Sequence, residues 1–445
     1  MRRTTVIVAV IVAGLAIAGG ASVALAGPVA VALLIGLSIA AGAFVQLRIT
    51  LLAILPAMVL LPELPLAVPL RVEDLLMAPL TAAWLARLAI TRSPWPRTPL
   101  DWPILAVVVV ELAALLWGAY RGTAGLSFEL YSAAFFLLKT IEVAFLYFIT
   151  VDTVRTARDL RIFTAVFVAS ATALGVWGVI ESGSRGGDVA ITGPAGHGGY
   201  SLLGLTYVVL LAVLVSLSLT RREGRVKAMM VAAALPVFYS LLYTFSRQSY
   251  VGAAAALAAL LWFRRRVLLV PAMLAMLALP FVVPQAVEER ATSIVTNAPD
   301  PATGSRPYGT RMRALRARLP EVLEQRPLLG FGPAALPPGF LDNQYLLVLY
   351  YTGLIGLAAF LWLLVAAGLT AYRAYAATTG TGRGLALAWM AATLGLALAG
   401  LAGSPFVAVR VRQIYWFLAA LAVAALKLGH GRSGAVAEVA AGVEP

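Results

Sequence analysis

The residues able to do chemistry in this chain are mostly arginines. Arg311, Arg313, Arg316 and Arg318 form a basic run, and Asp342 and Asn343 follow it where an apolar stretch begins. A guanidinium is planar and forks onto two oxygens at once. Such a run either clamps a phosphate or diphosphate or anchors a surface helix to anionic lipid. Arg247 stands apart, in a short turn between two apolar stretches. It either snorkels to the headgroups or serves a site. Asp342 can cap the helix that follows, and Asn343 can orient a sugar or satisfy backbone. His197 reads as a loop residue, with a second acid–base role as the alternative, and His430 falls in the C-terminal tail. Lys139 and Glu142 are three apart on one helix face and read as a structural pair, whereas Glu111 has no partner in sequence and is placed facing a cavity. Tyr345, Tyr350 and Tyr351 read as belt or packing aromatics. With no cysteine and two histidines, thiolate nucleophiles, disulfides and Cys–zinc sites are excluded, and a His-built metal cluster has too few ligands.

The elements that position these residues are transmembrane helices. The chain is 61% apolar and 12% charged, with a mean hydropathy of +0.91. A soluble domain carries about 25% charged residues. The apolar runs do not alternate as barrel strands do, and open strands cannot cross lipid. The expected fold is therefore all-α, a polytopic bundle of about 12–14 spanning helices. The segments read are 4–26, 28–46, 50–70, 75–91, 101–119, 131–150, 161–181, 199–219, 227–244, 249–263, 267–284, 345–371, 383–403 and 411–427. The third is interrupted by Pro62 and Pro65. The first resembles a signal peptide but is read as an uncleaved helix, because its apolar run is long and its removal would spoil the charge alternation. Residues 1–284 thus hold helices before a long loop, 285–344, residues 345–428 hold the last helices, and 429–445 form a cytoplasmic tail read as disordered.

Charge sets the orientation. The net charge is +14, which in a membrane protein implies contact with anionic headgroups rather than nucleic acid, for which no motif is found. With both termini in the cytoplasm, most Lys and Arg residues fall on inside segments. The exception is the loop 285–344, which is basic yet outside. At about 60 residues it is long enough to be functional. From Thr310, a candidate cap, it reads as a basic amphipathic helix with an apolar stripe of Met312, Leu315, Leu319 and Val322 or Leu323. Pro320 is expected to break or kink it, and Gly330, Gly332, Pro333, Pro337, Pro338 and Gly339 make a turn-rich exit.

At these residues the sequence resembles the O-antigen ligase and O-antigen polymerase superfamily, bacterial membrane enzymes that transfer a glycan from an undecaprenyl-diphosphate carrier. The loop exit Arg326-Pro-Leu-Leu-Gly-Phe-Gly-Pro333 is followed by Asp342-Asn343, nine residues, Gly353, two residues, Gly356. The family has His-Asn there, with the same glycine spacing. Thr244-Phe-Ser-Arg-Gln-Ser-Tyr-Val-Gly252 supplies a Ser-Arg turn between two helices, closed by Arg264-Arg265-Arg266. Gly309-Thr-Arg-Met-Arg313 carries the upstream arginine, and Thr192-Gly-Pro-Ala-Gly-His-Gly-Gly199 opens the eighth segment. The pieces cover roughly 190–360, and their order and spacing are more specific than any one of them.

The resemblance implies inverting, metal-independent glycosyl transfer at the outer face of the bacterial cytoplasmic (inner) membrane, with no cofactor. Arg247 and Arg311 would steady the leaving diphosphate, with Arg313, Arg318, Asn343 and His197 as secondary residues. Asp342 stands where the family has a histidine and would accept or orient the acceptor hydroxyl proton. That departure puts transfer to a lipid A core in doubt and favours a polymerase or another glycan acceptor. The implied partners are an undecaprenyl-diphosphate-linked glycan, a glycan or glycolipid acceptor, and membrane lipid. The competing function is a transporter or flippase of lipid-linked oligosaccharide, which should show internal repeats. None is found. A third, a peptidoglycan-type polymerase, shares the carrier but not the motifs. Gly353 and Gly356 are expected to permit close helix packing.

Overall fold

The computed structural model describes residues 42, 46–61, 71–121, 130–187, 189–194, 199–270, 307–335 and 342–440. They fall into two compact units, Met1–Pro96 and Arg97–Pro445. In the first, α1 is Leu47–Leu60 and α2 is Val72–Thr91. Helix α1 stops where Leu61 turns extended, with φ −81° and ψ 145°. Pro62 follows it, and the residue before a proline is driven out of helical geometry. Helix α1 thus ends just before the expected interruption, while Pro62 and Pro65 themselves lie outside the described residues. Helix α2 buries Trp84 completely and sets it edge-on to Trp95 at 5.1 Å.

The second unit is a helix bundle. Its helices are α3 (Asp101–Arg121), α4 (Leu130–Thr153), α5 (Ala157–Ser184), α6 (Tyr200–Thr220), α7 (Gly224–Tyr243), α8 (Arg247–Arg264), α9 (Pro307–Gln325), α10 (Gln344–Ala377), α11 (Gly380–Ala399) and α12 (Val409–Ala440). Among the described residues, eight helices are long and apolar enough to cross a membrane: α3 to α7 and α10 to α12. The protein is a multi-pass membrane protein of the expected class. Helix α8 is rich in alanine and falls short of spanning apolarity. The predicted segment 4–26, nearly all of 28–46 and most of 267–284 lie outside the described residues.

Helix α6 is apolar on every face and sits in the interior, as such a helix must. Small residues let its neighbours approach closely. A Cβ on Gly395 of α11 would meet the carbonyl oxygen of Gly252 of α8 at 2.6 Å. Ser216 Oγ donates to the carbonyl of Gly384 at 2.6 Å, tying α6 to α11. Lys139 and Glu142 pair at 2.8 Å inside α4, as their spacing implied, and Gln413 of α12 donates to the other carboxylate oxygen at 3.0 Å.

Several expectations need correction. Helix α9 starts at Pro307, so Thr310 lies within it and does not cap it. Pro320 does not break it either, because the last turn is held by Val322, fully buried against Tyr350 and Phe331. The buried stripe is Ala314, Leu319 and Val322, while Met312, Leu315 and Leu323 face outward. Beyond Leu428 the chain is not disordered: α12 continues to Ala440, with no proline to interrupt it.

Helix α10 is broken. Gly353 has φ 66° and ψ −166°, and the helix resumes after it. In lipid, the backbone groups freed by such a break need partners. The loop after α9 supplies them. Phe331 N donates to Tyr350 O at 2.9 Å, and Gly332 N donates to Tyr351 O at 3.0 Å. From the other side, Leu354 N donates to Pro327 O at 2.8 Å and Ile355 N to Leu328 O at 3.3 Å. The Pro-Leu-Leu-Gly-Phe-Gly element is thus a plug seated in a helix break. Gly353 serves that break rather than helix packing, as a Cβ there would lie 2.3 Å from Leu328.

Candidate functional site

The candidate residues gather at the end of the bundle where α10 begins. Asn343 caps α10, its Oδ1 accepting from Leu346 N at 2.9 Å while Nδ2 donates to Leu401 O at 3.1 Å. The cap is therefore Asn343 and not Asp342, and both ends of the Asn343 amide serve the backbone. Gln344 is 2% exposed, and its Oε1 accepts from Phe406 N at 2.9 Å while its own N–H donates to Gly400 O at 2.8 Å. Tyr345 OH donates to Ala397 O at 2.7 Å. The start of α10 is thus sewn to the α11–α12 loop, leaving Asp342 half-buried one residue outside the cap.

The turn between α7 and α8 reaches the same loop. A Cβ on Gly403 would fall 1.2 Å from Gln248 Oε1, so the first turn of α8 lies directly against residues 400–406. Arg247 opens that turn and is half-buried. A cation at the positive end of a helix dipole is unfavourable by about 0.3–1 kcal/mol, so nothing in the helix itself asks for arginine there. The preceding Phe245 is buried and has φ 49°. A bulky side chain in left-handed geometry marks strain of the kind found at functional sites. The turn is held by Thr244 Oγ1 on Leu241 O at 2.7 Å and by a Ser246–Ser249 hydroxyl pair at 2.7 Å. Arg247 and Asp342 therefore flank one loop, although nearly one hundred residues separate them in sequence.

The remaining candidates separate. Arg311 lies in the first turns of α9, and its side chain is outside the described residues. Arg313 is exposed. Arg318 is paired with Glu321 at 2.7 Å. His197 lies outside the described residues, and nothing is described of the His430 side chain. The loop leading to His197 is anchored by Glu181, whose two carboxylate oxygens accept from the N–H groups of Thr192 and Gly193, each at 2.9 Å.

Three features were not legible as site residues. Arg326 stacks on Phe331 with its Cζ 5.1 Å from the ring centroid, and Phe331 stacks in turn on Tyr350 at 4.7 Å. Burial, and then the nearby charge of Arg121, push the Arg326 guanidinium below its ordinary value. Arg410 and Arg412 on the first turn of α12 are 4% and 6% exposed. Arg412 donates to Thr140 Oγ1 at 3.0 Å and lies over the Phe136 ring at 5.4 Å.

Below this end runs a narrow cavity of about 90 Å³ between α3, α4, α10 and α12. It follows α10 from Gln344 to Ala367 and is lined almost wholly by apolar side chains. Its polar lining includes Glu111, Thr140 and Arg412, so Glu111 faces a cavity as its isolation in sequence suggested. Its apolar lining suits an apolar group. Among the described residues no group of three or more His, Cys, Asp or Glu could hold a metal. Compared with known proteins, the chain matches no family model and no curated protein.

Proposed function

We propose that the protein is a membrane glycosyltransferase of the O-antigen ligase or polymerase type, acting on a polyprenyl-diphosphate-linked glycan at the outer face of the bacterial cytoplasmic membrane. The observation that supports this most is the apolar cavity starting at Gln344, beside Asp342 and the loop that Arg247 flanks. One end of the polyprenyl chain would enter the cavity, and its diphosphate would stay at the mouth. The acceptor hydroxyl oxygen attacks the anomeric carbon, and its proton passes to Asp342. The C–O bond to the diphosphate breaks with inversion, and the electron pair leaves on the diphosphate oxygen. Arg247 and Arg311 stabilise that charge where little water competes. A carboxylate beside guanidinium groups is a weak base, so orienting the hydroxyl is a large part of the role of Asp342. Both termini are then cytoplasmic.

A transporter of the same lipid-linked glycan is the alternative, and the break in α10 is the observation that favours it. In such proteins the freed backbone groups bind cargo or ions. Here the loop 327–332 takes four of them, which fits a static scaffold better.

The test is a transfer assay on purified protein with polyprenyl-diphosphate glycan and candidate acceptors. Arg247→Ala and Arg311→Ala should each lower product about 10²–10³-fold, and Asp342→Ala about 10²–10⁴-fold, with unfolding temperatures unchanged. Full activity of Asp342→Ala rejects its assignment, and glycan moved across vesicles without bond formation rejects the enzyme.

A further inference from the structure

A second apolar crevice opens on the opposite side and end of the bundle, between α5 and α7 over the end of α6. Its shape follows from small residues. Helices α5 and α7 touch where Gly175 meets Val237, a Cβ on Gly175 falling 2.7 Å from Val237 N, and where Ser240 Oγ donates to Gly175 O at 2.8 Å. The crevice runs along α5 from Arg161 to Ile180, over a floor of Ala165, Ala169 and Ala173. Met229 and Met230 form the facing wall, an adaptable one because methionine is unbranched and polarizable.

The two arginines at one end are the only charged residues lining the crevice. Arg161 uses only its Nε, on the carbonyl of Ala157 at 3.3 Å, so its NH1 and NH2 make no hydrogen bond among the described residues. Arg221 NH2 donates to Thr381 Oγ1 at 2.7 Å, which fixes its fork at the mouth. Of the acids nearby, Asp159 is tied to Thr156 as a helix cap, and Glu223 is exposed in the α6–α7 turn. Two guanidiniums above an apolar slot match a phosphodiester above acyl chains.

We propose that this crevice is a binding site for one anionic phospholipid of the leaflet opposite the candidate active site. The charge pattern supports a lipid over a helix. Both guanidiniums sit at one end of a slot that is otherwise apolar or neutral along its length, which complements a single anionic headgroup above its acyl chains. The site is independent of the catalytic reading, because none of its residues lies at the α10 end.

The experiment is native mass spectrometry of the full-length protein released from nanodiscs containing phosphatidylglycerol and phosphatidylcholine. Wild type should retain one phosphatidylglycerol in preference to phosphatidylcholine. Arg161→Gln/Arg221→Gln should lower that retention at least tenfold. Ala169→Trp, which fills the floor, should abolish it without altering the unfolding temperature of lipid-free protein. Arg222→Gln/Arg225→Gln, in the same turn but outside the crevice, should retain lipid as wild type does. Equal retention in the Arg161/Arg221 double variant, or no preference for phosphatidylglycerol, overturns the proposal. A dimer in wild type that Ala169→Trp abolishes would assign the crevice to a second copy instead. Should Ala169→Trp fail to fold, the double arginine variant decides alone.

Discussion

Replacing Gly353 by alanine should unseat the plug. The backbone at this position, φ 66° and ψ −166°, belongs to a region that is essentially glycine-only and strains other residues by about 1–3 kcal/mol. The added Cβ would also lie 2.3 Å from both the carbonyl carbon and oxygen of Leu328 and 2.6 Å from Leu329 N, all of them backbone atoms. No rotamer change relieves that contact, so the loop must withdraw. Withdrawal loosens at least two of the four hydrogen bonds that join 327–332 to the break, each worth about 0.5–1.5 kcal/mol net. The sum is a destabilisation of about 2–6 kcal/mol. Gly368→Ala, on the same helix with nothing within 4 Å of its Cβ and no positive φ, should instead be neutral or stabilising by up to about 1 kcal/mol. Because the chain has no cysteine, exposure of the plug can be read directly. A single cysteine at Ala335, which is fully buried in the native plug, should react slowly with maleimide in the parent and rapidly beside Gly353→Ala. If Gly353→Ala unfolds within the error of the parent and Ala335→Cys stays protected, the plug is not what satisfies the broken helix.

Two further outcomes are expected. Lys139→Met alone leaves the Glu142 carboxylate buried beside Gln413 and should cost about 3–5 kcal/mol. Adding Glu142→Leu should recover most of that loss in thermal unfolding, and no recovery would show that the pair is not the source of the cost. Asn343→Ala removes both the cap of α10 and the tie to Leu401. It should lower stability by about 1 kcal/mol and, with Asp342 next to it, slow glycan transfer beyond what the stability loss explains. An unchanged turnover would separate Asp342 from the geometry of the helix start.

The amino-acid sequence by itself determined the class of molecule and much of its local pairing. Hydropathy runs and charge are local properties, so the starts of α3 to α7 and α10 to α12 could be placed to within four residues, whereas α12 runs well past its expected end. Lys139 and Glu142 were readable as a pair because helical spacing alone puts them on one face. The isolation of Glu111 pointed to the cavity it lines. What only the tertiary structure decided involves partners distant in sequence. The glycine at 353 is a break and not a packing contact, because residues 327–332 arrive from outside the helix to take its backbone groups. Asn343 rather than Asp342 is the cap, since its amide can reach both Leu346 N and Leu401 O, and a carboxylate has no donor for the second. Arg247 and Asp342 share a neighbourhood only because the α11–α12 loop touches the first turns of both α8 and α10. Hydropathy has no record of such meetings, because it reports how each residue prefers lipid or water and not which other helix it will find there.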